Sequence, residues 1–189
     1  VNKNLANQIT IFRLILIPFF ILAFELDLRF SALLIFLIAS FSDFVDGYVA
    51  RKYNQISDFG KLIDPLADKI LVSSALILLV SRIDLTGNSL IPAWLVVLII
   101  AREFLITGLR SFAATRSIVL AADTLGKYKT TFQMLAIIIL IPTELVILNS
   151  FLGFDITTRD FGLFLLFISF IFSYISGFKY IQTIIKAVK

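Results

Sequence analysis

The chain has 189 residues, 59% of them hydrophobic and 16% charged, with a formal net charge of +4. A soluble domain runs nearer half apolar with about a quarter charged residues, so the composition points to a membrane protein. With no cysteine and no histidine, disulfides, thiolate nucleophiles, imidazole bases and zinc sites of the usual kind are excluded, and acid–base or metal chemistry falls to Asp, Glu, Lys, Tyr or backbone.

A bilayer core about 30 Å thick takes roughly 20 apolar residues per helix. Six stretches qualify, at about 8–25, 29–50, 62–82, 91–115, 128–150 and 161–184. They fill most of the chain and leave no room for a separate soluble domain. The expectation is one all-α integral membrane domain over 1–189 with six transmembrane helices.

The first span begins near Ile9 and has no small-residue cleavage site close behind it, so it reads as a span and not as a removable signal. Its start carries Asn7, Thr10 and Arg13 at i, i+3 and i+6, one polar stripe. Arg13 snorkelling to the interface, with Asn7 or Thr10 as a cap, is one reading of that stripe. A role beside a ligand is the other.

Span 2 is apolar until its end, where Asp43, Asp46, Gly47, Ala50 and Arg51 appear. At about 100° per residue the first four fall within one arc, with Arg51 at its edge. Span 3 sets Gly60, Asp64 and Asp68 at i, i+4 and i+8, again one face. A short loop joins the two spans, so antiparallel neighbours are expected. Pro65 either starts span 3, with Asp64 as its cap, or kinks it.

Span 4 holds Arg102, Glu103 and Arg110, and the basic turn with Lys127 and Lys129 precedes span 5. An arginine inside a span requires a partner; for Arg102 either Glu103 or a ligand phosphate fits. Arg110, Lys127 and Lys129 together exceed what pairing requires and suggest an anionic ligand. The segment "TRSIVLAADTLGKYKT" reads as a partly ordered loop, and "NSFLGFDITTRD" links spans 5 and 6.

Basic residues are unevenly shared between the two sides. The side of the termini and of the 2–3 and 4–5 loops carries Lys3, Arg13, Arg51, Lys52, Lys61, Lys69, Arg110, Arg116, Lys127, Lys129, Lys179, Lys186 and Lys189; the other has Arg29, Arg82 and Arg159. Lys and Arg excess marks the cytoplasmic face, so both termini and the aspartate cluster are expected there, in a multi-pass protein of the cell membrane. The excess needs no nucleic-acid partner to explain it.

Ionisable groups at membrane depth cost about 2.5–3.5 kcal/mol or more each. Asp43, Asp46, Asp64 and Asp68 facing one another would add mutual repulsion, and hard divalent cations with oxygen ligands are the natural compensation. Two Mg²⁺ (or Mn²⁺) ions roughly 3.5–4 Å apart would balance four carboxylates and polarise a phosphoryl group. Gly47 and Gly60, with Ala50, clear space for a ligand, and Arg51 offers a planar fork to phosphate. Asp58 reads as a solvated residue. A divalent-cation transporter would also place carboxylates among helices, but it predicts acidic residues along a path, and Glu144 alone stands well away from the cluster within a span.

The run Asp43-x2-Asp46-Gly47-x2-Ala50-Arg51-x8-Gly60-x3-Asp64-x3-Asp68 resembles the complete signature of the CDP-alcohol phosphatidyltransferase family at every fixed position. The resemblance implies six membrane helices around a cytoplasm-facing polar cavity, a divalent-metal site, and transfer of a phosphatidyl group from CDP-diacylglycerol to an alcohol with release of CMP. It implies metal ligation by Asp43, Asp46 and Asp64, with Asp68 completing the site and accepting the proton. It places Gly47, Ala50, Arg51 and Gly60 at the CDP pocket, with Ser57, Asn7 and Thr10 beside it. The stretch from Arg102 to Gln133 resembles the branch whose acceptor is sn-glycerol 3-phosphate, with Arg110, Lys127 and Lys129 as its phosphate site; an inositol phosphate acceptor is the alternative. Membrane lipids are expected partners, and the apolar surface leaves room for a homodimer.

Overall fold

The computed structural model describes residues 5–53, 58–83, 87–116, 124–142, 147–151 and 154–188; within these, residues 5–7, 43–53, 58–62, 64–65, 147–151, 154–156 and 188 are described in backbone only. The chain divides into two compact units, Val1–Leu78 and Leu79–Lys189.

In the first unit, α1 (Leu5–Glu25) and α2 (Arg29–Tyr53) pack against each other. Ile17, Phe20, Ala23 and Phe24 on one helix and Ala32, Phe36 and Ala39 on the other are all buried. The Phe20 and Phe36 rings lie 5.7 Å apart. The turn between the helices is tight because Asp27 takes a left-handed conformation with φ 57°. That lets the Leu28 amide donate to the Ala23 carbonyl at 2.9 Å, the six-to-one bond that closes a helix end. Asp27 also accepts from Arg29 Nε at 3.0 Å. Pro18 lies inside α1, a residue tolerated in apolar helices where neighbours absorb the freed backbone group.

α3 (Asp58–Ser81) starts at Asp58, so the expected start near residue 62, and the reading of Asp64 as its cap, are corrected. Pro65 lies within the helix and not at its first turn. Gly60, Asp64 and Asp68 therefore share one helical segment.

In the second unit, α4 (Ala93–Thr115) and α5 (Thr124–Leu140) both pack on α6 (Thr158–Val188). Gly162 marks the tightest approach: a Cβ there would stand 2.6 Å from Leu140 Cγ. Trp94 and Phe170 meet edge to face at 6.4 Å. Where α4 begins, Arg159 of α6 donates from Nη2 to the Ser89 carbonyl at 2.8 Å and from Nε to the Leu90 carbonyl at 3.3 Å. Gly87, at φ 80°, turns this loop. α6 has 31 residues, about 46 Å at 1.5 Å per residue.

The fifth span does not reach residue 150 as expected. α5 stops at Leu140, and Ile147–Phe151 pairs antiparallel with Phe154–Thr157 as β1 and β2. Pro142 supplies the reason, since proline lacks an amide and clashes with the preceding turn. Partners run from Ile147 with Thr157 to Phe151 with Phe154, with an irregularity between Ile147 and Asn149. Among the described residues the fold is thus six helices and one hairpin.

Two described helices, over Gln8–Glu25 and Thr158–Ala187, are long and apolar enough to cross a membrane. The apolar part of α2, Arg29–Ser42, is shorter. α5 has only 17 residues, and α4 carries Arg102, Glu103 and Arg110.

Candidate active site

The acidic motif occupies two helices. α2 is helical through Asp43, Asp46, Gly47, Ala50 and Arg51, and α3 through Gly60, Asp64 and Asp68. The 3.6-residue period assumed from sequence therefore applies to each set. The side chains of Asp43, Asp46, Ala50, Arg51 and Asp64, and that of Asn7, lie outside the described residues, as does Ser57 altogether. Asp68 is half-buried and has an interaction partner. The donor chemistry suits a hard divalent cation: carboxylates only, in a chain without thiol or imidazole.

On α1, Thr10 and Arg13 are buried, Arg13 completely, and both have interaction partners. Arg13 therefore does not snorkel to water. A guanidinium taken wholly out of solvent is held by what surrounds it. Beside this segment an apolar cavity of about 680 Å³ is lined by Gln8, Ile9 and Phe12 of α1 and by Leu37, Ile38, Phe41 and Ser42 of α2. Its polar ends, Gln8 and Ser42, immediately adjoin Asn7 and Asp43 in sequence.

The second unit holds Arg102, Arg110, Lys127 and Lys129. Lys129 Nζ lies 2.5 Å from Glu103 Oε1, with both side chains mostly buried. Glu103 thus pairs with Lys129 across α4 and α5, and not with Arg102 beside it. Residues one apart on a helix face directions about 100° apart, which disfavours the neighbour pair. Ser169 Oγ donates to the Lys129 carbonyl at 2.9 Å. Arg110 is exposed but anchored: its Nη2 donates to Tyr180 Oη at 2.5 Å, and its guanidinium carbon sits 4.6 Å from the centre of that ring. Lys127 is exposed.

The structure also brings in residues that the sequence pattern did not single out. Tyr180, Gln133, Ser169, Ser173 and Ser176 are all buried on the α5 and α6 faces. Recurrence of Ser169, Ser173, Ser176 and Tyr180 at spacings of four, three and four along α6 was the available signal.

Comparison with known proteins extends the likeness to nearly the whole chain. Residues 3–175 match the CDP-alcohol phosphatidyltransferase family. A Bacillus subtilis (strain 168) protein named CDP-diacylglycerol–glycerol-3-phosphate 3-phosphatidyltransferase is 39% identical, over 98% of this chain and 97% of the relative. A Rickettsia bellii protein of the same name is 40% identical over 96% of each chain. The Escherichia coli (strain K12) protein of that name is 42% identical over 71% of this chain and 74% of its own.

Proposed function

The chain belongs to the CDP-alcohol phosphatidyltransferase family, and we propose that it transfers the phosphatidyl group of CDP-diacylglycerol to sn-glycerol 3-phosphate, giving phosphatidylglycerol phosphate and CMP in phospholipid biosynthesis. The observation that carries this reading is the near full-length likeness to relatives named for that reaction. The intact acidic motif on two helices supports it.

Asp43, Asp46, Asp64 and Asp68 would hold Mg²⁺ or Mn²⁺, two ions by charge balance. When bound, such ions neutralise the pyrophosphate and polarise the phosphorus under attack. Gly47, Ala50, Arg51 and Gly60, with Asn7, Thr10 and Ser57, take the CDP group, where Arg51 offers a fork to phosphate. Asp68 accepts the proton of the acceptor hydroxyl as its oxygen bonds to the β-phosphorus. The bond from that phosphorus to the bridging oxygen breaks, and CMP leaves with the electron pair.

Arg110, Lys127 and Lys129 take the acceptor's phosphate, Lys129 while sharing its charge with Glu103. The cavity between α1 and α2 takes an acyl chain of the lipid donor, where each buried methylene contributes about 0.8 kcal/mol. All six helices cross the cell membrane, with both termini and the site on the cytoplasmic side, as the distribution of basic residues supports. The apolar outer faces suit a homodimer as well as lipid.

The test is direct. Purified protein with CDP-diacylglycerol and Mg²⁺ is offered labelled sn-glycerol 3-phosphate, inositol phosphate, serine and glycerol, and the lipid products are identified. Phosphatidylglycerol phosphate as the main product supports the reading; preference for inositol phosphate overturns the acceptor.

A further inference from the structure

The basic side chains of the second unit are unequally compensated. Lys129 has Glu103, while Arg110 rests on a neutral phenol. Arg102 is half-buried in α4, and its Nε is fully covered yet has no hydrogen-bond partner among the described residues. Its sequence neighbour Glu103 acts on it as an opposite charge but makes its ion pair with Lys129, and Arg110 acts on it as a like charge.

α6 is shaped to admit this guanidinium. A Cβ at Gly177 would come 3.2 Å from Arg102 Nε and 3.7 Å from its Nη2, so the glycine leaves room that alanine would reduce. On α5 and α6, the Ser176 and Ser173 hydroxyls and the Gln133 amide nitrogen are also buried without hydrogen-bond partners among the described residues. Water can satisfy hydroxyls and amides, but water does not balance charge. Arg102 and Arg110 are eight residues apart on one helix, about 12 Å of rise, a gap that two long side chains can close upon a group between them. Among the described residues one carboxylate, Glu103, faces the three cations Arg102, Arg110 and Lys129, so the missing element is a second anion.

We infer that Arg102 is an acceptor-binding residue, which with Arg110 grips the phosphate of a phosphomonoester alcohol and makes the site select for it. This rests on the acceptor reading above and adds a residue to it. A guanidinium suits the task because its planar fork can give two parallel bonds to phosphate oxygens. The Glu103–Lys129 pair, one residue along α4, then acts to position the helix without drawing Arg102 into its own ion pair.

Steady-state kinetics of the full chain in detergent micelles containing CDP-diacylglycerol test this, with inorganic phosphate as a competitor of sn-glycerol 3-phosphate. Arg102→Gln is expected to raise the KM for sn-glycerol 3-phosphate about tenfold or more and to weaken inhibition by inorganic phosphate by a similar factor. The KM for CDP-diacylglycerol stays within about twofold. Arg102→Lys, which keeps charge but loses the fork, and Gly177→Ala, which crowds Nε with the charge intact, show the same selective change at smaller size. An unchanged acceptor KM in Arg102→Gln, or equal losses for both substrates, overturns the assignment and makes Arg102 structural. A wild type that makes no product from sn-glycerol 3-phosphate refutes the acceptor reading itself, and this assignment with it.

Discussion

Glu103 and Lys129 form an ion pair across α4 and α5, at 2.5 Å, with the two side chains only 9% and 12% exposed. The pair ties the middle of one helix to the first turns of the next. Breaking a buried pair by removing one partner typically costs about 3–5 kcal/mol, because the other charge is left uncompensated. Lys129→Met should therefore lower the thermal unfolding midpoint in detergent clearly, and Lys129→Met combined with Glu103→Leu should recover most of the loss. A double variant as unstable as the single one would show that the pair is not the source.

Metal dependence is the second expectation. Asp43→Asn, Asp46→Asn and Asp64→Asn should each abolish turnover while leaving the detergent-solubilised protein folded, since a neutral amide is a poor substitute for a hard anionic ligand. Excess chelator should stop the wild type, and Mg²⁺ or Mn²⁺ should restore it. Full activity in chelator would remove the basis for the metal site.

The acceptor side gives the third. A charge-assisted contact to phosphate is worth roughly 1.5–3 kcal/mol, so Arg110→Ala and Lys127→Ala should raise the acceptor KM about tenfold or more while sparing that for CDP-diacylglycerol. Tyr180→Phe should give a smaller change in the same direction, because it removes the hydroxyl that Arg110 donates to but keeps the ring beneath the guanidinium. Loss of CDP-diacylglycerol binding in these variants would reassign the residues.

Orientation can be read by labelling. Cysteines at Asn88 and Thr158 should react with an impermeant thiol reagent from outside intact cells, and one at Gln55 should not. The absence of native cysteine makes each signal specific. The opposite pattern would invert the topology.

Packing between α5 and α6 is the fifth. Gly162→Ala places a methyl 2.6 Å from Leu140 Cγ, and overpacking of this kind costs about 1–3 kcal/mol. Adding Leu140→Ala should relieve much of that loss in the unfolding midpoint. No recovery would mean that the glycine serves the backbone and not the contact.

The helices were largely legible because a run of apolar residues near 20 is hard to confuse with anything else. Where the reading failed, hydropathy was blind to the cause. Residues 134–151 remain mostly apolar past Pro142, so composition extended α5 into what the backbone makes a hairpin. The β-branched Ile147, Ile156 and Thr157 around Gly153 were the overlooked signal. For α3 the opposite happened: Pro65 invited a late start, yet the helix begins at Asp58. The helical placement of the acidic motif was readable because its spacing is regular, and the backbone carries its two halves on α2 and α3. The partners of Arg110 and Lys129 were not, since Tyr180 is 70 residues from Arg110 in sequence and Glu103 is 26 from Lys129.

The length of α6 carries a consequence for where the reaction happens. Its roughly 46 Å exceeds a hydrocarbon layer of about 30 Å, so an upright α6 that enters the membrane at Thr158 emerges near residue 178. Tyr180, and the Arg110 guanidinium stacked on it, then stand in the headgroup layer. With Arg110 binding the acceptor as proposed, a water-soluble acceptor is met there without entering oil, while the lipid donor arrives sideways without leaving it. Catalysis at such a seam responds to two different measures of supply. At fixed enzyme, diluting the donor with inert lipid should slow the reaction, whereas adding buffer at a constant lipid composition and acceptor concentration should not.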